Sequence, residues 1–370
     1  MKGLPDDPVH ALRARELLAE TRQLIAAERW KDAAPRSHAL MQIAPDLAEA
    51  YDLMGVVAMK TGAPQIAEAC FARAIAIGPV SATRLHNLGR ALLALGKSGE
   101  AERPLQRALN IRADDPAILS DLGDAQLNLG KHADALKSFR RALKKDPKHR
   151  YAAHMVAALT ETGTPDPTYV RRLFDDYAEI FDEHLTGKLA YRVPDALAAM
   201  LAAEGHKART VLDLGCGTGL VAAALQGRFG AIDGVDIAPK MVEQAQSRRL
   251  YRNLAVGDCA EVVASNPDFA GPYDTIIAAD VFIYIGALEI LFDAMMPRLA
   301  DNGRIAFSVE TSSTSDIEIR SSGRFAHSAS YIGTLADKNG LTILAQQDHD
   351  IRMELERPIP GQLYLLGRAN

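Results

Sequence analysis

Small and apolar positions recur along the first part of the chain with a period of 34 residues. The same frame is written three times: Tyr51-x-x-Met54-Gly55, Leu85-x-x-Leu88-Gly89 and Leu119-x-x-Leu122-Gly123. A second glycine follows each frame seven residues later, at Gly62, Gly96 and Gly130. Alanines hold two further fixed offsets, Ala67, Ala101 and Ala135, then Ala74, Ala108 and Ala142. Pro79 and Pro147 close two of the units. A fixed period of this length marks stacked supersecondary units. Two antiparallel helices per unit fit it: the small residues let neighbouring helices approach, and the second glycine serves the turn between them. An earlier unit keeps Ala33 and Pro45 in frame but has Thr21 at the glycine position, as terminal units often do because one face meets solvent. Residues 149–163 read as a closing helix.

The pattern changes at 164–168, Thr-Pro-Asp-Pro-Thr, where two prolines end the helical array. Beyond it, short apolar runs alternate with helical stretches. Residues 211–219, Val-Leu-Asp-Leu-Gly-Cys-Gly-Thr-Gly, predict a strand and a glycine-rich turn, with a helix opening at 220–225. Residues 231–236 predict a second strand and 241–250 a helix. Residues 255–259 follow as a third strand end, and 273–281 as an apolar strand ending at Asp280. Residues 299–309 read as a helix end, a turn and a fifth strand. Residues 329–340 read as a helix, and 341–353 with 362–368 as a final strand pair around Pro358, Pro360 and Gly361. This alternation predicts a parallel-sheet α/β domain. The chain therefore divides into an all-α solenoid, 1–163, and an α/β domain, 164–370, with five parallel strands and a terminal hairpin.

Composition sharpens the division. Aromatic residues are only 6 % of the chain, and 16 of the 21 lie in 164–370. The first domain must pack through Ala and Leu, the best helix formers. Its formal charge is +4 and that of the second domain −9. Neither is basic enough to suggest nucleic-acid binding by bulk charge. Lysines and arginines crowd 137–150, with Asp146 the only acid there. A solvated face with cations near a helix C-terminus accounts for them better than an anion-binding patch. The three cysteines, Cys70, Cys216 and Cys259, are far apart, so neither a disulfide framework nor a zinc site is expected. The start of the chain lacks a signal-peptide apolar region and no run is long enough to span a membrane, so a cytoplasmic protein is expected.

The 34-residue pattern resembles the tetratricopeptide repeat over about residues 14–148. Such solenoids offer a concave surface, so partner binding or self-association is expected, with a helical spacer as the plain alternative. The glycine loop has the spacing Gly-x-Gly-x-Gly and follows Asp213, an acid that would repel a pyrophosphate but suits an ammonium group. Asp236 ends the next strand, 21 residues after Gly215, where an acid accepts ribose hydroxyls in nucleotide-binding βαβ units. With Gly234-Val-Asp-Ile-Ala-Pro-Lys-Met241, this resembles S-adenosylmethionine-dependent methyltransferases of the Rossmann-like class, over about residues 169–368. The resemblance implies a seven-stranded sheet. It also implies that Asp213, Gly215, Cys216, Gly217, Asp236, Ile237, Met241, Asp258, Cys259 and Asp280 surround S-adenosylmethionine, Asp258 accepting from the adenine amino group.

Methyl transfer from a sulfonium is an in-line displacement, so the protein aligns the acceptor, excludes water and, where needed, removes a proton. Phe174, Tyr177 and Phe181 share one helix face and, with Tyr191, resemble the aromatic lid of small-molecule methyltransferases, which implies that they close over the cofactor and that Tyr191 contacts it. A packing helix is the alternative. Tyr177 and His327 are the catalytic candidates, His327 as a general base of suitable pKa. A surface loop with a helix cap at Ser328 or Ser330 is the plainer reading of that segment. His184 is a weaker candidate, and Cys216 fits a small loop residue better than a nucleophile. The Asp280-Val-Phe-Ile sequence is not the pattern of amino-directed DNA methyltransferases. A small-molecule acceptor is expected. A protein methyltransferase whose repeats present a peptide, or a non-catalytic cofactor-binding scaffold, are the rivals.

Overall fold

The computed structural model describes residues 3–160, 167–178, 181–183, 185, 187, 189–354 and 357–368. Chain packing separates two compact units, Met1–Val156 and Ala157–Asn370. The division lies several residues before the expected 163/164 border, inside a helix that runs on to Leu159.

Helices of the first unit run α1 (Pro8–Ala26), α2 (Trp30–Ile43), α3 (Ala48–Lys60), α4 (Pro64–Ile77), α5 (Ala82–Ala94), α6 (Ser98–Ile111), α7 (Pro116–Asn128), α8 (His132–Lys145) and α9 (Arg150–Leu159). Each of α2 to α8 packs on its predecessor. The repeat positions explain the spacing. A Cβ added at Gly55, Gly89 or Gly123 would lie 2.5, 2.6 or 2.7 Å from the side chains of Phe71, Leu105 or Phe139. The glycines thus let the second helix of each unit press its large side chain against the first. Ala67, Ala74, Ala101, Ala108, Ala135 and Ala142 are fully buried. Gly62, Gly96 and Gly130 take φ of +78°, +74° and +72°, the left-handed turn conformation that a side chain resists.

The second unit opens with α10 (Pro167–Tyr177), the single turn α11 (Phe181–Glu183) and α12 (Val193–Ala203). Then β1 (Thr210–Leu214), α13 (Leu220–Leu225), β2 (Ala231–Asp236), α14 (Pro239–Arg248), β3 (Asn253–Val256), α15 (Cys259–Ser265) and β4 (Tyr273–Ala278) alternate. The chain continues through α16 (Glu289–Met295), β5 (Leu299–Thr311), β6 (Ile317–Ile319), β7 (Phe325–His327), α17 (Ala329–Lys338), β8 (Leu341–Glu354) and β9 (Arg357–Arg368). The main sheet runs β3-β2-β1-β4-β5-β9-β8, parallel as far as β5 and antiparallel over the last pairs. The apolar strands β1, β2 and β4 are buried on both faces, as a sheet covered by helices on both sides requires.

Three local expectations change. Residues 299–303 are the irregular start of β5 rather than a helix end and turn. Pro358 and Pro360 lie inside β9, paired with Met353 and Asp350. Pairing of β9 with β5 begins only at Gly361, so the prolines sit where one side of the strand needs no donor. A short hairpin, β6–β7, adds two strands beyond the expected seven. Glu310 near the end of β5 pairs with Gly361 on one side and Ala326 of β7 on the other.

Candidate active site

The carboxyl ends of β1, β2 and β4 open on a cavity of about 820 Å³. Loops at this edge of a parallel sheet are free to meet ligands because the strands below are locked by hydrogen bonds. After β1, Gly215, Gly217 and Gly219 take φ of +61°, +53° and +92°. A Cβ at Gly215 would fall 2.4 Å from Val281, whereas one at Gly217 would meet nothing nearer than 4.0 Å. Gly217 therefore leaves its backbone open toward the cavity, a cradle that fits the cofactor. The loop is tied down by the Cys216 N–H donating to the Val235 carbonyl at 2.9 Å.

Asp236 sits at the end of β2 and is buried. Its two oxygens accept from the Gly217 N–H at 2.9 Å and the Ala238 N–H at 2.8 Å. Burial raises its carboxyl to about 6, against the pull of these two N–H donors. Asp213 lies beneath the loop rather than on the cavity wall. Burial pushes it up to about 7, although the Tyr251 hydroxyl donates to it at 2.7 Å. Its other oxygen is buried with no hydrogen-bond partner. Asp258 caps α15, one oxygen accepting from the Ala260 and Glu261 N–H groups. The capping leaves the second oxygen free of these bonds on an exposed residue that lines the cavity. Cys259 and Ile237 also line it. Burial pushes the Cys216 and Cys259 thiols up, so neither is a ready thiolate.

The cavity's other wall is aromatic. Tyr177 packs edge-on against Phe181 with ring centres 5.4 Å apart. Phe174 contacts Phe181 at 6.0 Å and Tyr284 at 5.2 Å, both edge-on. All four, and the buried Tyr191, line the cavity. Burial holds the Tyr191 hydroxyl well above its ordinary value, and Asp280 adds to the shift. The segment is also tied to the glycine loop and to α14. Thr218 donates to Asp182 at 2.5 Å, Arg248 pairs with the same carboxylate, and the Lys240 N–H donates to Asp175 at 3.1 Å.

Besides Asp213, two of the expected site residues lie off the cavity wall. Met241 is fully buried and packs with Ala178, Ala238, Phe174 and Phe181, so it supports the aromatic wall from below. His327 is 1 % exposed in β7 and is not on the cavity wall. Its Nε2 donates to the Gly286 carbonyl at 2.8 Å, and its ring stacks on Tyr331. Burial lowers its pKa. The His327 ring therefore does not face the cavity. With Tyr331, whose hydroxyl accepts from the Leu288 N–H and donates to Glu289, it pins the loop that carries Tyr284 and Gly286. Ser328 caps α17, as the plainer reading expected. His184 lies outside the described residues.

Sequence reasoning passed over the buried charges. Asp280 takes φ of +60°, and both its oxygens accept from Arg352 Nη1, at 3.0 and 2.9 Å. The second Arg352 nitrogen donates to Glu310, which also accepts from Arg320 at 2.9 Å. Glu310 and Arg352 are buried. A charged residue inside an apolar strand, such as Glu310 in Ile-Ala-Phe-Ser-Val-Glu, is costly unless paired, and that was the available signal.

Strand order, glycine loop and strand-end acids together define a Rossmann-like methyltransferase fold. Residues 212–305 match the family model described as Methyltransferase domain. Residues 46–114 and 92–159 match models described as Tetratricopeptide repeat. Human methyltransferase-like protein 27 is 35 % identical over 120 residues, 31 % of this chain and 47 % of that protein. Malonyl-[acyl-carrier protein] O-methyltransferase of Geobacter sulfurreducens is 31 % identical over 149 residues, 39 % of this chain and 54 % of that one. The chain thus spans about half the length of the curated relatives it matches. Among solved structures, Synechocystis magnesium protoporphyrin IX methyltransferase with bound S-adenosylmethionine aligns at TM-score 0.43 and 22 % identity, over 57 % of this chain and 100 % of that one. More particularly, the methyltransferase-domain match lies behind the tetratricopeptide-repeat matches along the chain. No described helix is long and apolar enough to cross a membrane.

Proposed function

We propose that this chain transfers the methyl group of S-adenosylmethionine to a small-molecule acceptor. The observation that supports this best is a shared cavity: Gly217, Asp236 and Asp258 line it together with Phe174, Tyr177 and Tyr191. S-adenosylmethionine, when bound, supplies an electrophilic methyl on its sulfonium. The chain's own residues supply binding and order. Asp236, already held by two backbone N–H groups, keeps two further lone pairs for the ribose hydroxyls. Asp258 and the Cys259 backbone serve the adenine. The aromatic wall excludes water and aligns the acceptor with the methyl, which is where most of the rate is gained when no strong base is required. Tyr177 and Tyr191 belong to that wall, and His327 acts only by holding the 285–288 loop. The repeats are assigned to binding a protein partner or a second copy, in the cytoplasm.

The test is incubation of the full chain with methyl-labelled cofactor and a fractionated metabolite extract. Label is expected in the low-mass fraction, and not with Asp236→Ala. Label confined to protein would instead favour a peptide acceptor presented by the repeats.

A further inference from the structure

Three arginines converge on Glu310, and their partners differ. Arg352 spends both terminal nitrogens on Asp280 and Glu310, whose side chains are 14 % and 2 % exposed. Arg320 donates to Glu310 and to the Thr311 carbonyl at 2.7 Å, and does not reach the cavity wall. Arg324 comes only within 3.9 Å of Glu310. Its hydrogen-bonded carboxylate is Glu354, at 3.1 Å, and that side chain is 40 % exposed. Arg324 and Glu354 both line the cavity.

The inequality has a physical consequence. An ion pair whose acid stands in water gains little over two solvated ions, so it is readily exchanged. A pair between buried groups is not, because breaking it leaves an unpaired charge out of water. Arg352 and Arg320 already neutralise Asp280 and Glu310, so of the acids around Arg324 only Glu354 is left to it. Arg324 is therefore the cation at this end of the cavity with a displaceable partner. Its planar fork matches a carboxylate in geometry. The rest of the lining asks for an apolar body. Leu173 and Ile290 stand on the cavity wall 43 % and 69 % exposed, with Val170, Leu189 and Met353 beside them.

We propose that Arg324 anchors a carboxylate of the methyl acceptor, displacing Glu354, and that the acceptor is an apolar acid. This rests on the methyltransferase reading and names the substrate class for the same site. Glu354 acts as a place-holder that keeps Arg324 extended toward the cavity until the acid arrives.

The experiment uses the full chain saturated with S-adenosylhomocysteine, titrated by calorimetry with phenylacetate and octanoate and with their uncharged amides. At least one acid is expected to bind about tenfold or more tightly than its amide, the size of one charge-assisted hydrogen bond. Arg324→Gln should abolish that preference without changing S-adenosylhomocysteine affinity, Arg324→Lys should restore part of it, and Glu354→Gln should tighten the acid. A merely structural role for Arg324 would weaken acid and amide alike. Equal binding of acid and amide, binding of neither, or a preference that survives Arg324→Gln overturns the anchor. A wild-type chain that fails to bind S-adenosylhomocysteine overturns the methyltransferase reading itself, and the anchor falls with it.

Discussion

The two units bury different things. Among the described residues, the buried polar side chains of the repeats are hydroxyls, one amide and one histidine: Thr21, Ser37, Ser98, Ser120, Gln126, Ser138 and His154. Those of the α/β unit include four carboxylates and an arginine: Asp213, Asp233, Asp236, Glu310 and Arg352. Most ion pairs of the repeats reach water, as between Lys131 and Glu102 at 2.7 Å, where such pairs contribute little, although Arg84–Asp52 and His86–Asp121 are largely covered. A solenoid needs only shape complementarity between neighbouring helices, and alanine against phenylalanine supplies it. The α/β unit removes ionisable groups from water, and four of its five buried ones lie toward one edge of the sheet, where Asp236 and Arg352 line the cavity and Asp213 and Glu310 lie behind its wall. Asp233 is the exception, held by Arg252 and the Tyr273 hydroxyl away from the cavity. Buried charge costs stability. Its concentration at one edge of the sheet marks the place where stability is traded for binding.

The sharpest way to break this comparison is Glu310→Ala. It leaves Arg352 and Arg320 short of a buried acid, and should destabilise the α/β unit by about 3–5 kcal/mol. Far-UV circular dichroism during denaturation would read that loss, while the fluorescence of Trp30, the single tryptophan, should follow the repeats unchanged. A loss under 1 kcal/mol, on the scale of an exposed pair, would mean that the cluster behaves as surface charge. Asp236→Ala comes next. It should weaken S-adenosylhomocysteine by roughly ten- to a hundredfold, about 1.5–3 kcal/mol for hydrogen bonds to a charged group. Unchanged affinity by calorimetry removes the ribose assignment.

Smaller effects test the repeats. Gly55→Ala places a methyl 2.5 Å from the Phe71 ring. Overpacking should outweigh the gain in helix propensity, with a net cost of about 1–2 kcal/mol. Trp30 reports it well, because Lys60 of the same helix as Gly55 lies 5.6 Å over its ring. A stabilised variant would show that the glycine is not there for close approach. A pH dependence tests the repeats separately from these smaller effects. Burial pushes the half-buried Asp124 up to about 8, Asp121 adding to it and the Tyr151 hydroxyl opposing it. An unfolded aspartate ionises near 4, so between about pH 4 and pH 8 the native state keeps a proton that the unfolded state has lost. Stability conferred by the repeats should therefore fall as pH rises through that window. Asp124→Asn should flatten the fall in the Trp30 unfolding midpoint, and an equal fall in the variant would place the titrating group elsewhere.

Much of the fold was legible because its causes are local. The 34-residue spacing of Gly55, Gly89 and Gly123 predicts the helix pairs, since each glycine meets a side chain 16 residues ahead in its own repeat. The glycine loop and Asp236 were legible for the same reason: a strand, a turn and the next strand end are joined by one short helix. The aromatic wall was legible as the grouping of Phe174, Tyr177 and Phe181, although Phe181 stands in the separate turn α11 rather than on the helix that carries the other two.

What the sequence by itself determined was the order of elements, the two packing styles and the edge of the sheet that carries the glycine loop and Asp236. The tertiary structure alone decided the other end of the cavity. Arg352 meets Asp280 from 72 residues away and Glu310 from 42. Their meeting depends on β9 inserting between β5 and β8, and on the register that sets Glu310 between Gly361 and Ala326. The same pairing turned His327 inward, because β7 is closed on both faces, and left Arg324 one residue outside the strand, facing the cavity. Spacing along a chain carries no trace of such contacts: a one-residue slip in strand register would send each of these side chains to the opposite face.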